Sequence, residues 1–423
     1  MKNDSKRQTK RKLSRREFIK AGVAGLGVAA VGGLPHRVFG QGPAIIKGTK
    51  LSILQGTYFI APAQELYKKQ AQEWGQANGV TVATDFLNWP DLQPKIAAAV
   101  QAGGLDIVEL WPAWNYLYRE SLIDLTKEAE EVGRRGGGFE TYVLNSGKVG
   151  GKFLGIPSGQ NNHSMNYRIS WFKEAGVANA EDGTKLDMTW DEYHAVAKKC
   201  KANGHPFGQA LGHSTSDPPC FCYSFMWSYG AMEISKDGKN ILFNKPEFVE
   251  GMRKFIQAWK DGYDETGTSW DDSSNNRAFL SEQICSTLNA SSIYFAAKKD
   301  KPHIAKDMNH MLMPKGPAGR FYLLGTRTFG ILKSSKNIPA AREFLKWWFD
   351  DKQYGEWFRL QEGYQLQPKY GRDLGYAGPA NEKAGLASSK YIVVDTLARA
   401  VQSGDAKAAI EWGAEQLKRI YGV

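Results

Sequence analysis

The chain has 423 residues, 42% of them hydrophobic and 12% aromatic, enough apolar material for a well-packed globular protein of two or more domains. Its net charge of +11 misleads about partners, because residues 1–40 hold ten Lys or Arg against Asp4 and Glu17. The remainder carries 45 basic and 42 acidic residues with no basic tract, which argues against nucleic acid as a partner.

Ser14-Arg15-Arg16-Glu17-Phe18-Ile19-Lys20, followed by the uncharged run Ala21 to Leu34, resembles a twin-arginine export signal. That run has 14 residues, five of them Gly, whereas a membrane-spanning helix needs about 20 well-filled apolar positions. It reads as a removable address rather than an anchor. Val38-Phe39-Gly40 is a small-residue processing site that starts the mature chain near Gln41, and no Cys lies near that junction to carry a lipid. Residues 1–40 are therefore expected to be a signal peptide, and the mature chain periplasmic.

Downstream, strand and helix periods alternate. A strand around Leu51 and Ile53 precedes a helix opened by Pro62, with Leu66, Tyr67, Ala71 and Trp74 on one face and Asn78-Gly79 ending it. The next strand is Val80 to Phe86, then a helix marked by Leu92, Ile96 and Val100, stopped by Gly103-Gly104, then a short buried strand from Asp106 to Leu110. This β-α-β-α-β order predicts a mostly parallel sheet with helices on both faces. Val149-Gly150-Gly151-Lys152 is a hairpin signal leading into Leu154-Gly155-Ile156-Pro157 and the polar run Ser158 to Ser164. Thr189 and Glu192 form a capping box for a helix from Trp190 to Lys201. Further on, Phe248 to Trp259 is amphipathic, Gln283 to Leu288 and Gly325 to Leu332 are strands, and Pro339 to Arg359 is one long helical stretch crowded with aromatics.

Cys200, Cys220, Cys222 and Cys285 are too few for a disulfide framework and lack C-x-x-C spacing. His205, His213, Cys220 and Cys222 fall close together, but on what reads as a Pro-rich loop, and are taken as loop polar groups and buried thiols. No metal or cofactor is expected. A bridge such as Cys200 to Cys222 stays open.

The order of several segments resembles the sugar-type extracellular solute-binding proteins (family 1) of ATP-driven (ABC) importers. These are Trp89-Pro90-Asp91-Leu92 before Gly103-Gly104-Leu105-Asp106-Ile107-Val108, Gly151 to Pro157, Trp171 to Val177, Thr189-Trp190-Asp191-Glu192, Met313 to Pro317 and Ala340 to Leu345. The resemblance implies an α/β fold of two lobes, the periplasmic-binding-protein-like type II architecture, with hinge strands and a ligand cleft between the lobes. The expected division is 48–159 plus 326–372 for one lobe and 160–325 plus 373–423 for the other. Crossings then fall near Asn161, near Gly325 and around Tyr370 to Gly375. A monomer, a membrane permease and a small solute, carbohydrate or polyol, are the implied partners. Where many relatives carry a Gly-aromatic sugar platform, this chain has Asn289-Ala290-Ser291-Ser292.

Sites in open α/β sheets lie beyond the carboxyl ends of strands. The ligand-binding candidates are therefore Gln55 and Tyr58, Trp111, Trp114 and Asn115, Asn161 at the crossover, Trp270, Asp271 and Asn275 in a polar run, Asn289, and Arg327. Aromatic plates would cover sugar C–H faces and the polar groups would meet hydroxyls. Each has a plainer alternative: Trp111 and Trp114 as packing, Asp271 and Asp272 as helix caps, Arg327 as an ion-pair member. Binding without catalysis is the leading expectation. The rivals are a binding protein for a polyamine, an amino-acid derivative or a phosphorylated polyol, and a secreted glycosidase, which needs two opposed carboxylates that adjacent Asp271 and Asp272 do not supply.

Overall fold

The computed structural model describes residues 47–135, 138–139, 143–144, 147–159, 163–360 and 382–423. The expected signal peptide, Asn161 and the crossing around Tyr370 to Gly375 lie outside these residues.

The first lobe is built on a sheet of order β2-β1-β3-β10-β6. In chain order its elements are β1 (Lys50–Gly56), α1 (Ala61–Asn78), β2 (Thr81–Leu87), α2 (Trp89–Ala102), β3 (Ile107–Leu110), the single turn α3 (Trp114–Leu117), and α4 (Thr126–Arg135). The hairpin β4 (Lys148–Val149) and β5 (Lys152–Phe153) leads into β6 (Ile156–Gly159). Pro62 sits in the first turn of α1, where a missing N–H costs nothing, and Gly79 caps its end at φ 66°, a conformation that favours glycine. The central strands β1 and β3 are buried on both sides because helices cover both. Leu51, Ile53 and Ile107 pack with Tyr67 and Trp74 of α1. Leu54, Val108 and Leu110 pack on the opposite face with Leu92 and Ile96 of α2.

The chain then enters a second sheet through β7 (His163–Arg168). The helices α5 (Trp190–Ala202), α6 (Asp217–Ser228), α7 (Pro246–Gly262) and α8 (Ser274–Leu280) follow, then β8 (Ser286–Ala290), α9 (Ser292–Asp300) and β9 (Met308–Met311). This sheet has order β8-β7-β9. The chain returns to the first sheet as β10 (Arg327–Ile331), followed by α10 (Ile338–Trp348) and α11 (Asp351–Leu360). Finally α12 (Glu382–Ser389), α13 (Ile392–Ser403) and α14 (Ala406–Tyr421) bury Ala387, Val393, Leu397 and Leu417 in the core that contains α5, α6 and α7.

Three differences from the sequence reading have physical causes. The β-α-β-α-β segment is parallel as expected, with β1 pairing parallel to β2 and β3, but β10 runs antiparallel to β3 and β6, and β7 antiparallel to β8 and β9. Both β10 and β7 are entry strands. Each starts at the sheet edge where its neighbours end, so it must run against them. The segment read as a Pro-rich loop is α6, buried along its whole length, with Pro218 and Pro219 in its first turn where they are tolerated. Its apolar residues surround the helix, so no amphipathic period marks it. The aromatic stretch 339–359 is two helices rather than one, with Phe349 capping α10.

The capping box reads true: Thr189 Oγ1 accepts from Glu192 N at 3.3 Å, and Thr189 N donates to Glu192 Oε2 at 2.7 Å.

Candidate functional site

Gly56, Leu110, Gly159 and Arg327 lie along one edge of the first sheet, where β1, β3 and β6 end and β10 begins. His163 and Ala290 are paired at the matching edge of the second. Four peptide units separate Gly159 from His163, so these edges lie within roughly 15 Å of each other.

At the first edge Arg327 and Glu109, both buried, form an ion pair with Nη1 to Oε1 at 3.0 Å. The Gly56 N–H donates to Glu109 Oε2 at 3.2 Å. Burial holds Glu109 above its usual range, although Arg327 and the Gly56 N–H pull the other way. Gln55 Oε1 accepts from the Tyr58 hydroxyl at 2.5 Å, and the buried Gln55 amide also faces the Tyr67 hydroxyl. Trp89 lies over this edge, its Nε1 donating to Thr57 O at 3.2 Å. Gly56 is required there, since a Cβ would sit 2.3 Å from Trp89 Cε2.

The second edge carries a denser polar cluster. His163 Nε2 lies 3.0 Å from both Asp217 Oδ1 and Ser216 Oγ. Asn275 and Asn289 each donate from Nδ2 to Asp217 Oδ2, at 2.7 and 2.9 Å. Asp272 accepts the backbone N–H groups of Ser216 and Asp217, which fixes the start of α6. Burial opposes charge on His163, yet Cys220 and Asp217 outweigh it and hold the imidazole well above its usual range. Burial and the Asp217 carboxylate push Asp272 up to about 7. Beside this cluster, His213 pairs with Asp395 at 2.7 Å and stacks on Tyr391 with centroids 4.5 Å apart. Tyr391 has φ 56°, strained for an aromatic residue.

The expected site residues divide unequally. Gln55, Asn275, Asn289 and Arg327 stand at the two edges, but the Asn side chains hold Asp217 and Arg327 holds Glu109. Tyr58 packs edge-on against Phe86 and tilted against Trp357, both at 5.5 Å. Trp111 stacks edge-on against Trp89 at 4.9 Å, and Trp114 is 3% exposed in the same first-lobe cluster. Neither indole presents an open face. Asn115 donates to Gly147 O at 3.1 Å. Trp270 is half-buried, its Nε1 donating to Thr266 Oγ1 at 3.0 Å. Asp271 accepts four hydrogen bonds from Ser273 and Ser274 at the start of α8, the capping role weighed for it. Burial raises its pKa, but those bonds outweigh burial and lower it.

Sequence reasoning missed Glu109, His163 and Asp217. Glu109 was hidden inside a strand read only as short and buried. The one signal for Asp217 was its place immediately before Pro218-Pro219, a helix start. No group of His, Cys, Asp and Glu among the described residues is arranged to hold a metal ion, and no described helix is long and apolar enough to cross a membrane.

Two lobes whose strand ends meet at chain crossovers define the periplasmic-binding-protein architecture. The maltose-bound MalE3 of T. maritima superposes with a TM-score of 0.74 at 19% identity, covering 88% of this chain and 100% of that one. An ABC transporter solute-binding protein of Agrobacterium radiobacter K84 in complex with ribitol gives 0.73 at 17% identity, covering 88% and 99%. One from Agrobacterium vitis S4 with bound D-mannitol gives 0.71 at 16% identity, covering 88% and 98%. In sequence, a protein of Brucella abortus (strain 2308) named only as a binding protein is 26% identical over 298 residues, 68% of each chain. Residues 69–368 match the family model described as bacterial extracellular solute-binding protein, and the chain belongs to that family.

Proposed function

We propose that this protein captures an uncharged carbohydrate or polyol between lobes 48–159 plus 326–372 and 160–325 plus 373–423, and delivers it to the permease of an ABC importer. Export by the twin-arginine route, suggested by Ser14 to Lys20, would put it in the periplasm. The observation that carries the ligand class is the 3.0 Å pair between Arg327 and Glu109. It neutralises the guanidinium at the first edge, so Arg327 offers no net charge to a phosphate or carboxylate. The second edge is rich in acids and amides, which suits hydroxyl donors. The maltose, ribitol and D-mannitol named for structural neighbours fit the same class. A solute bearing an amine is the second reading, favoured by buried Asp217 and Asp272.

A thermal-shift screen of the chain from Gln41 onward, against maltose, ribitol, mannitol, spermidine and a phosphorylated polyol, tests this. A ligand at a hundred times its Kd stabilises by about 2.7 kcal/mol. A neutral sugar or polyol is expected to raise the melting midpoint. A shift confined to the phosphorylated compound would overturn the reading, and one confined to spermidine would transfer it to amines.

A further inference from the structure

The sequence left a bridge from Cys200 to Cys222 open, but the structure pairs Cys200 differently. Cys200 Sγ lies 3.3 Å from Cys285 Sγ, 85 positions away. Cys222 instead has Asp395 and Cys220 near it. We propose that Cys200 and Cys285 are a disulfide site, oxidised when this extracellular-family protein folds in the presence of an exchangeable disulfide.

Both cysteines are anchored so that their sulfurs stay together. Cys200 lies on the core face of α5 with Trp190, Tyr193 and Ala197, and its carbonyl accepts the His205 N–H at 2.8 Å. Cys285 immediately precedes β8, with its N–H donating to Pro206 O at 2.8 Å and its carbonyl accepting from Arg168 N at 2.9 Å. A disulfide needs sulfurs at about 2.05 Å, a modest approach from 3.3 Å for side chains whose backbones are already held. The bridge would staple the end of α5 to the second-lobe sheet.

The chemistry balances by thiol exchange. One thiolate attacks a sulfur of glutathione disulfide, forming a mixed disulfide and releasing one glutathione thiol. The other thiolate then attacks the protein sulfur of that mixed disulfide, forming the Cys200–Cys285 bond and releasing the second glutathione. The protein loses two electrons and two protons, and the glutathione disulfide is reduced. Both cysteines are buried, so the exchange belongs to folding, before the core closes over them. Burial also pushes the Cys285 thiol well above its usual range, which slows exchange once the lobe is packed.

The full mature chain, unfolded and refolded with oxidised glutathione, is acid-quenched, alkylated under denaturation and digested without reduction. The expected peptide map links Cys200 to Cys285 and leaves Cys220 and Cys222 alkylated. A map with Cys200 and Cys285 both alkylated, or with either linked elsewhere, overturns the proposal. Reductant should also lower the melting midpoint of the refolded protein by roughly 5 °C. The Cys222→Ala variant should lose as much, whereas Cys285→Ala should show no dependence on reductant. An equal response in Cys285→Ala would count against the bridge.

Discussion

Replacing Arg327 by Met strips the partner from Glu109, which is 1% exposed and keeps only the Gly56 N–H as a donor among its described contacts. Breaking a buried ion pair from one side costs about 3–5 kcal/mol, because the remaining charge stays uncompensated. Much of that loss should return in the double variant Glu109→Gln/Arg327→Met, where the amide oxygen still accepts from Gly56 and no charge is buried. The sign with pH follows from the same groups. Burial already holds Glu109 above its usual range, and loss of Arg327 raises it further, so protonation at lower pH relieves the penalty of the single variant. Urea denaturation of wild type, both single variants and the double variant, at pH 7 and pH 5, gives the coupling directly. A cost below about 1 kcal/mol for Arg327→Met, or a double variant no more stable than the single, would refute this account and return Arg327 to the ligand-binding candidates.

Two further outcomes are expected. Trp114→Ala should cost about 3–5 kcal/mol of folding stability, since its indole is packed among Leu92, Tyr118 and Leu122. Trp270→Ala, half-buried, should cost clearly less, and equal costs in denaturant titrations would contradict the packing described. Glu233 accepts from the hydroxyls of Tyr223 and Tyr421 and is pushed by burial up to about 7. A raised carboxyl pKa means the folded state holds the proton more tightly. Glu233 should therefore lower stability as pH rises from about 4.5 to about 7, by an amount on the order of 3 kcal/mol. The difference between wild type and Glu233→Gln across that window isolates it from Asp272, and a flat difference would contradict the assignment.

Local signals with a short-range cause were legible. The capping box at Thr189 and Glu192, Pro62 at the start of α1 and Gly79 at its end act within a few residues, so the sequence alone displays them. The parallel run of β1, β2 and β3 was legible from the strand-helix alternation, but the reversed direction of β7 and β10 was not, because it depends on where the chain enters a sheet, which is settled only in three dimensions. The helix α6 escaped because it is apolar all round. Among site candidates, residue type identified Asn275 and Asn289 as polar groups with work to do, but their partner Asp217 lies 58 and 72 positions away. The Trp residues after β3 were read by their proximity to a strand end. Proximity places a backbone, whereas the direction of a side chain is set by packing, and here both indoles are buried in one cluster with Leu54, Trp89 and Leu92.

The loop carrying those indoles is itself held through its backbone. A Cβ on Gly325, just before the returning strand β10, would lie 2.5 Å from Pro112 Cβ. One on Gly385 of α12 would lie 3.0 Å from Ala113 O. Ala113 itself has φ 73°, a conformation that disfavours any residue with a side chain. The turn after β3 is therefore touched both by the returning crossover and by a helix whose other neighbours are α13 and α14 of the second lobe. Glycine at 325 lets the returning chain lie against the Pro112 ring, and glycine at 385 lets α12 meet the Ala113 carbonyl, where side chains would hold the elements apart.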